Sequence, residues 1–168
     1  MWRVIDSIAP IILDNVRGDI VEIGAGRSTA ILAKHAQAHS VQLFSCDIKG
    51  TKKLFDDHHV YHCTSFEFLE QYKGFPSIVF LDGCHDYDVV KTEFLCLFTR
   101  LMVGGVIFMH DTLPPTKNHL HKEKCSDAYR LRKEIERDKN YMCFTWPYTA
   151  MNCGLTMVAH SRACAGDS

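Results

Sequence analysis

The sequence lacks the features that would place the protein in a membrane or on a nucleic acid. No apolar run in its 168 residues approaches the roughly 20 residues that a helix needs to span a bilayer. Its 19 lysine and arginine residues are matched by 20 acidic ones, so there is no basic excess for binding nucleic acid. The first residues lack the basic start and the small-residue cleavage site of a signal peptide. We therefore expect a globular protein with neither a membrane nor a nucleic-acid partner.

Paired cysteine motifs are also missing. Eight cysteines are present, but no two form the C-x-x-C pair of a zinc ribbon or a thioredoxin-like site. Half of them lie inside apolar runs, where a reduced thiol packs as a small hydrophobic side chain. These four are Cys46, Cys63, Cys96 and Cys143. The pattern predicts reduced cysteines and a cytoplasmic protein rather than a disulfide framework.

Short apolar runs alternate with segments of helical periodicity. The predicted strands are Ile20–Ile23, Gln42–Cys46, Val60–Cys63, Ile78–Leu81 and Val106–Met109. The predicted helices between them are Ser28–Ala38, Ser65–Tyr72 and Asp88–Leu101. Alternation of this kind is typical of an α/β fold with a mostly parallel sheet covered by helices on both faces.

The C-terminal part follows a different pattern. Residues 126–140 are predicted to form a charged helix, followed by two β-like runs, Tyr141–Trp146 and Leu155–Ala159, that read as an antiparallel hairpin. We expect one domain over residues 1–168. Its parts are an N-terminal helix (1–17), a core (18–112), a loop (113–124), and a helix with the terminal hairpin (125–168).

The loop before the C-terminal helix is polar and contains His119 and His121, and Cys125 follows it directly. The spacing H-x-H-x-x-x-C matches no structural zinc site, so we interpret the loop as one that faces a substrate. Three further histidines, His58, His59 and His62, flank the third strand, where we interpret them as marks of a solvated sheet edge.

A glycine turn, Gly24-Ala25-Gly26, follows the first predicted strand, and Asp47 follows the second. Glycines let the backbone turn sharply and approach a ligand closely. An acid at the end of the second strand can accept hydrogen bonds from the ribose hydroxyls of a nucleotide. The dinucleotide pattern G-x-G-x-x-G is not met, because Thr29 stands at the third glycine position. A turn that merely links strand to helix is the alternative. We expect valine at Gly24 or Gly26 to block a cofactor without unfolding the protein.

Three motifs together resemble one enzyme family. The E-x-G-x-G of residues 22–26 resembles motif I of the class I methyltransferases that use S-adenosylmethionine (SAM). Residues 81–87, Leu-Asp-Gly-Cys-His-Asp-Tyr, resemble the L/I-D-G-D-H-x-Y of small-molecule O-methyltransferases of the family 24 type. Residues 104–111 match that family's G-G-x-I-x-x-H-D, and the catechol-type and macrolide- or sugar-type enzymes are related. The resemblance covers residues 18–112 and continues loosely through residues 152–155.

The resemblance implies a Rossmann-like, doubly wound sheet and the transfer of a methyl group from SAM to a hydroxyl of a small molecule, of sugar or natural-product type. In the family, the glycine turn and the strand ends hold the cofactor. The cofactor-binding residues implied here are Glu22, Gly24, Ala25, Gly26, Ser28, Asp47, Ile48, Thr64, Ser65, Phe66 and Asp82. The family also implies a small-molecule acceptor, and a homodimer remains open, in which a partner subunit would cover the site.

The same resemblance implies a divalent metal, because equivalent acids bind Mg²⁺ in relatives. Asp82, Asp111 and His110 are the implied ligands; carboxylates suit Mg²⁺ or Mn²⁺, and a histidine favours Mn²⁺, Fe²⁺ or Zn²⁺. Asp82, His85 and His110 are the candidate catalytic residues, with His85 as general base because Cys84 replaces the usual second acid.

Alternatives remain open for these residues and for the function. His85 could be structural, His110 could merely orient Asp111, and Cys84 could be a soft metal ligand. At the level of function, the chain could be a SAM-binding module that has lost catalysis, which the departure at Cys84 favours. A nicotinamide-dependent oxidoreductase is the other class, and the missing third glycine counts against it.

Overall fold

The computed structural model of the protein describes residues 18–121, 125–147 and 153–161. Its seven strands are β1 (Ile20–Ile23), β2 (Leu43–Cys46), β3 (His58–Tyr61), β4 (Ile78–Leu81), β5 (Val106–His110), β6 (Tyr141–Trp146) and β7 (Leu155–His160). Its α-helices are α1 (Arg27–His39), α2 (Ser65–Gln71), α3 (Tyr87–Phe98) and α4 (Tyr129–Ile135), and Lys117–His119 forms a 3-10 turn. The predicted helix over residues 1–17 lies outside the described residues.

The seven strands form one sheet in the order β3-β2-β1-β4-β5-β7-β6. Strands β1 to β5 pair in parallel, and β7 and β6 pair antiparallel at one side. This arrangement confirms the predicted α/β fold with a C-terminal antiparallel hairpin. The chain leaves the β3 edge and returns to place β4 beside β1, so the strand order reverses between β1 and β4. Ligands of open α/β sheets bind outside the carboxyl ends of the strands at such a point.

Alternating side chains of the central strands pack into two apolar layers, one on each face of the sheet. Ile20 packs with Leu32 of α1 on one face, whereas Val21 packs with Phe68 of α2 and Phe94 of α3 on the other. Successive side chains of a strand point to opposite faces, so a continuous apolar run suits a strand that is buried on both sides. The helices therefore cover both faces, and the carboxyl ends of the strands remain the open edge.

Strand β3 begins two residues earlier than the sequence predicts. It starts at His58, which pairs with Leu43 of β2 and is 1% exposed. The interpretation of His58 as part of a solvated edge is therefore wrong, because its ring is buried in a polar network described below. Helix α4 is shorter than predicted: residues 125–128 form turns before it, and Ser126 has a positive φ of 44°.

Cys125 and Cys153 form a disulfide across the carboxyl end of the sheet, with 6.5 Å between their Cα atoms. The prediction that the cysteines are reduced is wrong for this pair. The two residues are 28 positions apart, and they meet because the segment before α4 and the start of β7 both lie beside the end of β5. The free cysteines of the described ranges are Cys46, Cys63, Cys84, Cys96 and Cys143.

Within the described ranges, every helix is too short or too polar to cross a lipid bilayer.

Candidate active site

Two acids and two histidines meet at the carboxyl ends of β4 and β5. Asp82 directly follows β4, His110 ends β5, and Asp111 comes next. Because these strands are parallel neighbours, their ends lie at the same edge of the sheet. His85 joins them from the loop between β4 and α3. Each of the four offers a donor atom within 4.8 Å of the others, so the sequence-predicted cluster is assembled in the structure.

Each histidine lies between the two carboxylates. His110 Nδ1 is 2.7 Å from Asp82 Oδ1 and 3.2 Å from Asp111 Oδ1. His85 Nε2 is 3.4 Å from Asp82 Oδ1, and its Nδ1 is 3.7 Å from Asp111 Oδ2. The side chain of His85 is 17% exposed, against 5% for His110. His85 is therefore the histidine that a molecule in the crevice can reach.

The charges of this cluster balance one another. Burial alone would raise the pKa of Asp82, but hydrogen bonds from His110 and His85 outweigh burial and hold that pKa below its usual value. Burial alone would lower the pKa of His110, but its bonds to Asp111 and Asp82 raise the pKa to about 9. A protonated His110 is one way to hold two carboxylates together, and a divalent cation is another.

The turn after β5 fixes the direction of Asp111. The φ of Asp111 is 56°, which lies in the left-handed region. Two residues later, the backbone N–H of Leu113 donates a hydrogen bond to Cys153 O at 2.5 Å. A side chain at Gly154 would collide with Leu113 Cβ, so the start of β7 presses against this turn. Asp111 also lies within 4.8 Å of the sulfurs of Cys125 and Cys153. The disulfide therefore lies directly beside the acid–histidine cluster, on the side of Asp111.

Glu22 holds the glycine turn from inside the protein. Its side chain is fully buried and accepts hydrogen bonds from Ser28 Oγ at 2.5 Å, Thr29 Oγ1 at 2.9 Å and Ser45 Oγ at 2.7 Å. Burial raises the pKa of Glu22, and these three bonds counteract the rise. Glu22 and Ser28 thus contribute to the site through the shape of the turn.

His58 extends this network to the connection between β2 and β3. The Leu54 N–H donates to His58 Nδ1 at 3.1 Å, so we assign the ring proton to Nε2. His58 Nε2 lies 3.0 Å from Ser45 Oγ and donates to it, and Ser45 in turn donates to Glu22. Burial lowers the pKa of His58, in agreement with a neutral ring. No sequence signal marked this role, because His58, His59 and His62 stand together around one short strand and only His58 takes part in this network.

The two glycines of the turn have different surroundings. Gly24 has a φ of 87°, and a Cβ there would lie 2.3 Å from the backbone carbonyl of Asp82. The expectation that valine at Gly24 leaves the protein folded is therefore wrong, because β1 and β4 meet at this point. A Cβ on Gly26 would have no atom within 4 Å. Gly26 and the neighbouring Ala25 thus border the open side of the turn.

The remaining predicted cofactor residues line the same edge beyond β2 and β3. Asp47 Oδ1 accepts a hydrogen bond from Lys49 N–H at 2.6 Å, which fixes the carboxylate in a turn. Ile48 is 72% exposed and Phe66 is 46% exposed, so two apolar side chains face solvent here. Thr64 caps α2, and the half-buried Ser65 is its first residue.

Cys84 is exposed and is not one of the four donors at the ends of β4 and β5. The structure thus gives no support to its role as a soft metal ligand in this cluster. His119 donates or accepts a hydrogen bond with Thr116 at 2.9 Å within the loop after β5, and Cys125 is used by the disulfide. The interpretation of this loop as one that faces a substrate stays a prediction.

The sequence reasoning missed Glu93, a buried acid on α3. Its side chain is 1% exposed, and neither oxygen has a hydrogen bond of normal geometry within the described part of the chain. Burial raises its pKa to about 7, while the Ser65 hydroxyl and the charge of His85 lower it in part. A signal existed: Glu93 falls on the same helical stripe as Val90, Phe94 and Leu97, which are all buried.

Glu93→Gln is expected to stabilise the protein in a pH-dependent manner. The folded-state pKa of about 7 lies above the ordinary 4.5, so stability is complete below pH 4.5 and is lost as pH rises through about 7. At about pH 8 the variant should gain up to about 3 kcal/mol in the free energy of unfolding, and at about pH 4.5 almost nothing. Urea unfolding at both pH values measures this. The exposed Glu70→Gln is the control, and an equal gain at both pH values would contradict the assignment.

Comparison with known proteins identifies the family. The profile described as a methyltransferase domain matches residues 21–112. No curated protein matches the sequence. Among solved structures, the O-methyltransferase from Bacillus cereus in complex with SAH (S-adenosylhomocysteine) has a TM-score of 0.69 at 14% identity, covering 95% of this chain and 80% of that chain. The rRNA methylase from Streptococcus thermophilus has a TM-score of 0.63 at 10% identity, covering 93% and 96%.

The MycE methyltransferase of the mycinamycin biosynthetic pathway, in complex with Mg, SAH and mycinamycin VI, has a TM-score of 0.66 at 20% identity. The match covers 97% of this chain and 50% of MycE, so the chain spans half the length of that enzyme. At these identities the structural likeness shows the fold. The profile, which matches more than half of the sequence, shows the family: this chain belongs to the methyltransferase domain family.

Proposed function

We propose that the protein transfers a methyl group from SAM to a hydroxyl of a small molecule, of sugar or natural-product type, with the help of a divalent cation. One observation carries the proposal: a cluster of two acids and two histidines lies next to a glycine turn that is open at Gly26. The cluster consists of Asp82, His85, His110 and Asp111. Family membership and the SAH-bound enzymes of the same fold support it.

The open edge offers surroundings that suit each part of SAM. The methionine part would lie along Ala25 and Gly26, where the backbone is accessible, and Asp47 would accept hydrogen bonds from the ribose hydroxyls. The exposed Ile48 and Phe66 would cover the faces of the adenine ring, which explains two apolar side chains in solvent. Thr64 and Ser65, at the start of α2, would meet the edge of that ring.

The chemistry asked of the protein is orientation and proton removal, because SAM itself supplies an activated methyl group. His85 would accept the proton of the acceptor hydroxyl on Nδ1, with its Nε2–H directed to Asp82 Oδ1 at 3.4 Å. The lowered pKa of Asp82 keeps this carboxylate ionised, so that it stabilises the imidazolium that forms. The buried His110 would hold the two carboxylates in place.

The donor set fits a divalent cation. Two carboxylates and a histidine with donor atoms within 4.8 Å are a suitable group for Mn²⁺, and the carboxylates also suit Mg²⁺. Asp82, Asp111 and His110 would hold the ion. When bound, it would lower the pKa of the acceptor hydroxyl and orient it. MycE, which carries Mg, provides a precedent in the same fold.

A small-molecule acceptor is supported by charge rather than by fold, because an rRNA methylase shares the fold. The net charge of −1 provides no general attraction for a polyanion. The proposal includes a homodimer, in which the partner would cover the open edge, and a cytoplasmic location. The free thiols are compatible with a reducing compartment, whereas the Cys125–Cys153 disulfide counts against it.

Calorimetric titration tests the cofactor. The protein should bind SAM and SAH and ignore NAD. Asp47→Ala should weaken SAH binding by about 10- to 150-fold, because hydrogen bonds to a charged group are worth about 1.5–3 kcal/mol. Asp56→Ala, an exposed acid of the same connection, should bind like the unchanged protein. Tight NAD binding without affinity for SAH would reject the proposal.

Valine substitutions at the two glycines should separate fold from binding. Gly24→Val should lower the free energy of unfolding by about 2–5 kcal/mol, because it combines a positive φ with a clash against Asp82. Gly26→Val should remain folded and lose SAH binding, because its side chain would fill the open side of the turn. Urea unfolding and calorimetry report the two effects. Normal SAH binding by Gly26→Val would show that the turn is not the cofactor loop.

Metal dependence is measured without an acceptor by thermal unfolding with increasing Mn²⁺ or Mg²⁺. We expect the midpoint to rise with concentration, since a ligand of the folded state stabilises it. Asp82→Asn should abolish the rise, whereas Asp88→Asn, an exposed acid of α3 outside the cluster, should retain it. Excess chelator should also stop methyl transfer once an acceptor is found. Full activity in chelator would reject the metal and leave His85 as the proton acceptor.

A further inference from the structure

Cys125 and Cys153 are a pair of sulfurs whose chemistry the proposed methyl transfer does not use. Their disulfide lies beside the end of β5, and the Asp111 carboxylate has an oxygen within 4.8 Å of both sulfurs. Disulfides persist in oxidising surroundings and are rare where glutathione and thioredoxin keep thiols reduced. In the reducing compartment proposed for this protein, the pair would therefore exist as two thiols next to a carboxylate.

The backbone holds both cysteines in place independently of the bond between their sulfurs. The N–H of Cys125 donates a hydrogen bond to His119 O at 3.1 Å. The carbonyl oxygen of Cys153 accepts one from Leu113 N–H at 2.5 Å, and β7, which begins two residues later, pairs with β5. Cleavage of the disulfide therefore leaves the two sulfurs beside the same carboxylate.

The three donor atoms are close enough to share one small cation. In a tetrahedral Zn²⁺ site the Zn–S distance is about 2.3 Å and the Zn–O distance about 2.1 Å, so neighbouring ligand atoms lie about 3.6–3.8 Å apart. Rotation of the two cysteine side chains can provide this spacing, since their Cα atoms are 6.5 Å apart. Thiolates are soft ligands that select Zn²⁺ over Mg²⁺, and three protein ligands leave the fourth position to water.

We propose that reduced Cys125 and Cys153 bind a thiophilic divalent cation such as Zn²⁺ together with Asp111. A dithiol reductant opens the site: its first thiolate attacks the half-buried Cys153 sulfur and releases the Cys125 thiolate, and its second thiolate then releases Cys153. The dithiol becomes a disulfide, and two electrons and two protons pass to the cysteines. The cation then displaces the two thiol protons to water. SAM has no part in this site, which shares Asp111 with the cation site proposed above.

Titration with Co²⁺ tests the site, because thiolate ligands give Co²⁺ a charge-transfer absorption in the near ultraviolet that oxygen and nitrogen ligands do not give. The full chain is reduced with a dithiol, freed of it by anaerobic gel filtration and titrated beside the oxidised protein. The reduced protein should gain the absorption with a single equivalent of Co²⁺, and Zn²⁺ should abolish it. The oxidised protein should not show it.

Variants locate the ion. Cys153→Ser should lose the absorption, whereas Cys63→Ser should keep it; Cys63 belongs to a second pair of neighbouring thiols, 4.0 Å from the sulfur of Cys46. Asp111→Asn should weaken Co²⁺ binding by about 100-fold or more, because loss of a group that only orients a ligand already costs about 10- to 100-fold. Asp82→Asn should keep the absorption, which separates this site from the proposed Mg²⁺ or Mn²⁺ site.

Alkylation of the unchanged, reduced protein gives a readout that needs no variant to fold. Free Zn²⁺ at about ten times its dissociation constant should slow the reaction of Cys153 with iodoacetamide by about tenfold and leave the exposed Cys84 unaffected. The inference is overturned if the reduced protein lacks the absorption, if Cys153→Ser retains it, or if Zn²⁺ does not protect Cys153. Failure to bind SAH would reject the proposed function and leave this site standing.

Discussion

A buried carboxylate that needs hydrogen-bond donors organises the glycine turn and the strands beside it. Glu22 lies in the middle of the sheet, where an ionised group is stable only if it is well hydrogen-bonded. Its donors come from the start of α1 and from β2, and Ser45 links it onward to His58. One acid thereby joins the glycine turn, the second strand and the connection that carries Asp47. This network holds the hydroxyls of Ser28 and Thr29 toward the protein interior, and the turn stays open at Gly26.

The acid–histidine cluster at the ends of β4 and β5 is organised by a different balance of charge. Asp82 and Asp111 are brought together by parallel pairing of β4 and β5, and their repulsion is offset by His110. The disulfide and the start of β7 support Asp111 from behind. His85 is left as the more exposed histidine, within reach of both carboxylates. The two sides meet where Gly24 touches the backbone of Asp82, so the cofactor turn and the acid cluster form one continuous edge.

The fold leaves the choice of acceptor to its loops. O-methyltransferases and an rRNA methylase share this sheet with the chain at low identity, so the architecture by itself does not select what is methylated.

Local patterns were enough for most strands and for placing the motif acids at the ends of β4 and β5. β1, β4 and β6 have the predicted bounds, because apolar runs flanked by turn residues suit strands wherever they pack. The sequence also predicted that Asp82 and Asp111 lie close together, because residues at the carboxyl ends of neighbouring parallel strands meet at one edge of the sheet. The burial of His58 and its bond to Ser45 depend on which side chains face each other across neighbouring strands, which no local pattern encodes. The Cys125–Cys153 pair needed the return of the chain along β7, because residues 28 positions apart come together only when the sheet brings them there.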